Sequence, residues 1–144
     1  FTGGKITGIS KGTHSSDLTP VGGIKCNGMI SITAGTIAID CKGKGAKAIN
    51  CNSDVVVNSG NITLLANAEN YTEIADDKKS RAITTGNITI NGGTVIASAY
   101  DNALAATGTI TINGGKVNAY SASSYALSTI ATQTGGWLLT KDAE

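Results

Sequence analysis

Short runs in which apolar and polar residues alternate recur along the chain, and each run ends at a glycine. The stretch ITINGG occurs at residues 88–93 and again at 110–115, and ISITAG (30–35) and VVVNSG (55–60) have the same form. Alternation at a period of two places the Ile and Val side chains on one side of a strand and the polar side chains on the other. Each run therefore predicts a half-buried β-strand followed by a tight turn.

The alternating run is the second strand of a larger unit with three short strands. The first strand begins at an apolar anchor that follows a small residue, and the third strand begins directly after the glycine turn. The anchors are Ile24, Ile49, Ile83, Leu104 and Leu127. Because the same positions recur in every unit, successive units are expected to stack strand on strand. The sequence predicts an all-β fold, a right-handed single-stranded parallel β-helix of about four to six coils with roughly 21–25 core residues each.

A β-sandwich of hairpins is the competing interpretation, since it also uses short alternating strands and turns that contain glycine. A sandwich gives no reason for the same anchor, the same spacing and the same turn to recur in each unit. In a coil, identical positions contact one another, and this favours the β-helix.

The two ends of the chain depart from the repeat. We expect one domain over residues 1–144, with an incomplete first coil and loop at 1–21 and a partial coil or cap at 128–144, in which Trp137 covers the last coil. An incomplete coil leaves backbone groups and core residues open. We therefore expect a longer protein, with a neighbouring domain or self-association at the open N-terminal coil.

Composition limits the partners. The formal charge is +1 and charged residues make up 15% of the chain, so no strong field attracts nucleic acid or an acidic membrane. No apolar run approaches the roughly 18 residues of a membrane span. Aromatic residues are only 4% of the chain, and small β-branched residues must therefore fill the core.

The three cysteines, Cys26, Cys41 and Cys51, lack the paired spacing of a zinc site and are expected to be small buried residues. Cys26 and Cys51 each follow an anchor by two positions in successive coils, so their side chains should stack. Two alternatives stay open for them, a pair of buried thiols or a disulfide between adjacent strands.

Insertions leave from the corner after the third strand, and loops on one side of a repeat scaffold often bind ligands. Tyr100 and Tyr120 are predicted to point outward there, and Tyr125 and Tyr71 lie in loops at the same corner. Sugars bind by stacking on exposed rings while amides and carboxylates bind their hydroxyls. The candidate carbohydrate-binding residues are Tyr100, Asp101, Asn102, Tyr120, Tyr125 and Tyr71, with Asn118 nearby. Packing of outward tyrosines across neighbouring coils is the alternative.

Acidic residues are frequent at the same corner, and Ca²⁺ needs six to eight oxygen ligands in a loose geometry. Asp76, Asp77 and Asp101 are candidate calcium ligands. Lysines accompany them, so solvated loops that are close to neutral are the alternative. His14 has no matching acid or nucleophile, and no catalytic residue is assigned.

The phrases GIKCNGMISITAG and NALAATGTITINGGKVNAYS resemble the repeats of bacterial carbohydrate-binding β-helix proteins. These are surface or secreted proteins of Bacteroidetes and Clostridia with the shape of polysaccharide lyases. The resemblance covers about residues 22–127. It implies a parallel β-helix that binds plant or acidic polysaccharides, with Ca²⁺ in some members. Family coils carry Asp beside the anchor, whereas Lys25, Asn50, Thr84, Ala105 and Ser128 follow the anchors here.

The leading hypothesis is a non-catalytic carbohydrate-binding or surface-display module within a longer, exported bacterial protein that is extracellular or on the cell surface. One alternative is a small polysaccharide-lyase-like enzyme, in which Lys79 or Arg81 acts as the base near Ca²⁺. The other is a structural stalk or adhesin segment.

Overall fold

The computed structural model describes residues 1–13, 21–72 and 77–144. All the regular structure of these residues is β-strand, in an order that repeats every three strands. The strands are β1 Lys5–Ser10, β2 Gly22–Cys26, β3 Ile30–Ile32, β4 Thr36–Cys41, β5 Lys47–Cys51, β6 Asp54–Val57, β7 Asn61–Ala66, β8 Arg81–Thr85, β9 Asn87–Ile90, β10 Thr94–Ala99, β11 Leu104–Ala106, β12 Ile110–Ile112, β13 Lys116–Ser121, β14 Ala131–Gln133 and β15 Trp137–Lys141.

Three parallel sheets form the walls of the fold. Sheet A has six strands in the order β1-β4-β7-β10-β13-β15, sheet B has four in the order β11-β8-β5-β2, and sheet C has five in the order β14-β12-β9-β6-β3. Neighbouring strands in each sheet are about one coil apart in sequence, and every pair within the sheets is parallel. The prediction of a single-stranded parallel β-helix with three strands per coil is confirmed.

The core is built from columns of aliphatic side chains that repeat from coil to coil. Ile49 pairs with Ile83, and Ile83 pairs with Leu104, all of them fully buried. Ile88 and Ile110 pair in sheet C in the same way. These are the inward positions of the alternating pattern, so the pattern alone places the core.

Glycine at the second corner has a steric reason in each coil. Gly93 has a φ of 79°, and a Cβ at this position would collide with the carbonyl oxygen of Gly60 in the preceding coil. The backbone of one turn thus packs directly on the backbone of the next, and a side chain does not fit between them.

Two expectations about particular side chains change. Cys41 and Cys51 are buried, but Cys26 is only half-buried because it lies near the edge of the core; all three are free thiols. The prediction that Trp137 covers the last coil is wrong. Trp137 begins β15, in register with Lys116, and alternation turns it outward while the next residue, Leu138, packs against the core.

Within the described residues, no helix is long and apolar enough to cross a membrane.

Candidate functional site

The outer face of sheet A carries a flat group of side chains at its C-terminal end, on strands β13 and β15. On each strand, three alternate side chains point away from the core. The register of the two parallel strands places each of the three beside one on the other strand. The β13–β15 platform consists of Lys116, Asn118 and Tyr120 on β13 and Trp137, Leu139 and Lys141 on β15. Both aromatic rings thus lie on one surface, about 13 Å apart along the strands.

Trp137 is held in place by its register partner. The Lys116 ammonium lies 5.2 Å from the centre of the indole ring, which is the geometry of a cation–π contact. The Trp137 side chain nevertheless remains 46% exposed. The ring therefore contacts Lys116 on one side and keeps part of its surface open to solvent.

Asn118 lies between the two rings. It is two residues from Tyr120 on its own strand, and its register partner Leu139 is two residues from Trp137. Its Oδ1 atom is buried without a hydrogen-bond partner. An unpaired buried carbonyl is costly, and an atom without accessible surface is out of reach of a ligand, so this oxygen is an unpaired group of the fold and not a contact for a sugar.

Tyr100 extends the aromatic surface from the neighbouring strand. Tyr120 pairs with Ser98 of β10, and Tyr100 follows Ser98 by two residues. Residues in this diagonal relation lie about 7–8 Å apart. The Tyr100 carbonyl accepts hydrogen bonds from the Ser123 backbone N–H and hydroxyl, both 2.8 Å long. The loop after β13 is thereby tied to the residue that borders the platform.

Tyr125 belongs to a different surface. It is 72% exposed and lines a cavity of about 480 Å³ with Leu127, Leu138 and Asp142. Leu127 bridges to Leu104 of sheet B, so Tyr125 lies past the corner between sheets A and B. The predicted tyrosine set is therefore divided between the sheet A face and the C-terminal end of the coil.

Asp101 and Asn102 have internal partners. Both are only 7% exposed. Arg81 Nε donates to Asp101 Oδ2 at 2.9 Å, and Asn102 Nδ2 donates to the Tyr125 carbonyl at 2.7 Å. The two side chains connect successive coils and hold the backbone of Tyr125. Contact between these residues and sugar hydroxyls stays a prediction from sequence.

Tyr71 lies in the longest insertion, away from the other tyrosines in sequence. It forms an antiparallel bridge with Lys78, with two backbone hydrogen bonds of 2.9 Å. The fully buried Ser80 hydroxyl supports the same insertion. It accepts a hydrogen bond from the Gly45 backbone N–H and donates one to the Glu69 carbonyl. The described part of this insertion thus packs on the loop of the preceding coil.

The two candidate calcium ligands that the structure describes, Asp77 and Asp101, do not form a suitable donor set. Asp76 lies outside the described residues, Asp77 faces Lys79 at 3.7 Å, and Asp101 is paired with Arg81. Within the described ranges, no three His, Cys, Asp or Glu side chains lie close enough together to hold a metal ion. Asp77 and Asp101 each face a cation that Ca²⁺ would have to displace, and two separate carboxylates are fewer than the ligands this ion needs. Lys79 and Arg81, the two residues considered as the base of a lyase, are the cations of these two ion pairs.

The fold and the surface described here define a parallel β-helix with an aromatic outer face. The family described as carbohydrate-binding domain-containing protein matches residues 3–125, and the chain belongs to this family. No curated protein and no solved structure matches it. The matched range includes β13 with Asn118 and Tyr120 and ends before β15.

Sequence reasoning missed Trp137 as a surface residue, although a signal was present. The segment GGWLLTK at 135–141 aligns with GGKVNAY at 114–120, and the alignment places Trp137 at the outward position of Lys116. Extending the repeat by one more coil is enough to find it.

Proposed function

We propose that this chain binds polysaccharide, without catalysis, through the β13–β15 platform. One observation supports the proposal most directly. Trp137 and Tyr120 lie on the same outward face of two adjacent strands, about 13 Å apart along the strands. The family assignment supplies the class of ligand.

The platform has the chemistry that sugar recognition needs. An aromatic face covers the apolar C–H face of a pyranose ring, and the exposed ammonium groups of Lys116 and Lys141 can donate hydrogen bonds to its hydroxyls. The two rings are separated by more than one sugar, so an extended chain of several sugars would contact both. A polymer is therefore a better fit than a free monosaccharide.

Charge suggests which polymers to compare. Lys116 and Lys141 are exposed at opposite ends of the platform, and ammonium groups attract carboxylates of uronic acids. We propose acidic or plant polysaccharides as ligands, and a bacterial surface or extracellular protein as the setting. Detection of the protein on intact cells by antibody labelling would test that setting.

Affinity electrophoresis in gels that contain neutral or uronate polysaccharides tests the binding site. Trp137→Ala and Tyr120→Ala should each weaken retardation by about tenfold, the equivalent of one stacking contact. Thermal melting of each variant would verify that the coil is intact. Absence of binding to every polysaccharide by the folded parent protein would overturn the proposal.

Tyr125→Ala is the matched control, because Tyr125 is the most exposed tyrosine and lies past the corner. It should leave retardation unchanged. Loss of binding in Tyr125→Ala together with normal binding in Trp137→Ala would move the site to the C-terminal end of the coil.

A further inference from the structure

A column of hydrogen-bond donors runs along the corner where sheet B gives way to sheet C. Cys26 pairs with Cys51, and the register of β5 and β8 places Thr85 next in the same column. The Cys51 thiol donates to the Gly28 carbonyl at 2.7 Å, and the Thr85 hydroxyl donates to the Ser53 carbonyl at 2.8 Å. Both bonds join one coil to the turn of the coil before it, so Cys51 acts here as a threonine does.

The two thiols of this column converge on one turn. While Cys51 bonds the Gly28 carbonyl, the Cys26 Sγ atom lies 3.8 Å from the carbonyl oxygen of the next residue, Met29. The sulfurs of these register partners thus lie beside consecutive carbonyls of the same exposed turn. The two side chains are therefore on the same side of the sheet, which is a precondition for a bond between them.

Backbone spacing also suits a disulfide. Adjacent strands lie about 4.8 Å apart, which is inside the range of about 4.4–6.8 Å for the Cα atoms of a disulfide. Both cysteines are the last residues of their strands, and bends follow them. The chain beyond each cysteine can therefore adjust without disturbing the sheet B ladder.

We propose that Cys26 and Cys51 form an intrachain disulfide when the protein meets a disulfide oxidant. The half-buried Cys26 thiolate attacks one sulfur of the oxidant, forms a mixed disulfide and releases one thiol. The Cys51 thiolate then attacks the Cys26 sulfur and releases the second thiol. Two protein thiols lose their protons and two electrons in total, and one oxidant disulfide is reduced to two thiols. The Gly28 and Met29 carbonyls lie on an exposed turn, where water replaces the lost donors.

Oxidised glutathione, applied to the folded protein, provides the test. Intact mass should fall by two hydrogens, peptide mapping should link Cys26 to Cys51, and the number of titratable thiols in denaturant should fall from three to one. Since the bond joins coils that are 25 residues apart in sequence, the melting temperature should rise by about 5–10 °C.

Cys41 is the internal control, because its register partner is Ser10 and its thiol is buried; it should stay reduced. Cys51→Ser keeps a hydroxyl for the Gly28 carbonyl and should fold, but oxidation should no longer change its melting temperature. Three free thiols after oxidation, a glutathione adduct on Cys26 without a cross-link, or a link that includes Cys41 would each overturn the proposal.

Discussion

The Lys116 ammonium lies 5.2 Å from the centre of the Trp137 ring, so a cation on β13 contacts the ring on β15. Trp137 is also the only tryptophan of the chain. Its emission therefore reports on the β13–β15 platform and on no other surface. This makes the proposed site accessible to a direct spectroscopic measurement.

Bound polysaccharide should protect Trp137 from acrylamide. Because the ring is 46% exposed in the free protein, stacking against a sugar would cover much of that surface, and we expect the quenching constant to fall by about half. Quenching with and without polysaccharide measures this. The effect should be smaller in Tyr120→Ala at the same polysaccharide concentration, since this variant is expected to bind about tenfold more weakly. Unchanged quenching under conditions where the protein is retarded in the gel would place the glycan elsewhere.

The ion pair between Arg81 and Asp101 should stabilise the corner between sheets A and B. Both side chains are largely buried and the bond is 2.9 Å long, so Asp101→Ala leaves the guanidinium without its partner. We expect the free energy of unfolding in urea to fall by about 2 kcal/mol. Asp77→Ala removes a longer and more exposed pair with Lys79 and should cost less than about 0.5 kcal/mol. Equal losses in the two variants would contradict this role for Asp101.

Asparagines at the second corner form a hydrogen-bonded ladder. Asn91 Nδ2 donates to Asn58 Oδ1, and Asn113 Nδ2 donates to Asn91 Oδ1, each at 2.8 Å. Asn91→Ala breaks both bonds at an exposed position, and we expect a loss of about 1–2 kcal/mol in urea denaturation. Asn61→Ala changes an exposed asparagine outside the ladder and should stay within about 0.5 kcal/mol of the parent protein.

Gly93→Ala should be among the most damaging small substitutions. The added methyl group meets the Gly60 carbonyl, and the φ of 79° is unfavourable for alanine. We expect a loss of at least about 2 kcal/mol, or failure to fold. Gly28→Ala is the control, because a methyl group added at Gly28 would meet no atom within 4 Å, and it should fold with nearly parental stability. A Gly93→Ala protein as stable as this control would show that the turns at Gly60 and Gly93 can move apart to make room for the methyl group.

The repeat is sufficient to predict the strands, the core columns and the glycine turns, because each of these depends on positions that recur. It does not predict which side chains meet at the corners. Arg81 and Asp101 are 20 residues apart in different coils, and insertions of unequal length lie between the anchors. Where insertions differ in length, the packing of the loops decides which residues become neighbours, and the repeat pattern holds no information about that packing. The pattern consequently suggests a ligand-binding role for Asp101, although its carboxylate has a cation beside it.

Cys41 should make stability depend on pH in the alkaline range. Burial, with a smaller contribution from the Asp40 carboxylate, raises its pKa from the usual 9.0 to about 11, against a lowering contribution from a hydrogen bond with the Gly23 backbone. Above pH 9 the unfolded chain loses this proton while the folded chain keeps it. The stability that the neutral thiol provides is therefore complete below pH 9 and is lost as the pH rises towards 11.

Urea denaturation at pH 8, 9 and 10 of the parent protein and of Cys41→Ala measures this dependence. All other titrating groups are common to the two proteins, so their contributions cancel in the difference. We expect the stability of the parent to fall relative to the variant by about 1 kcal/mol between pH 9 and 10. Parallel curves across the three pH values would mean that the Cys41 thiol titrates in the folded protein as it does in the unfolded chain.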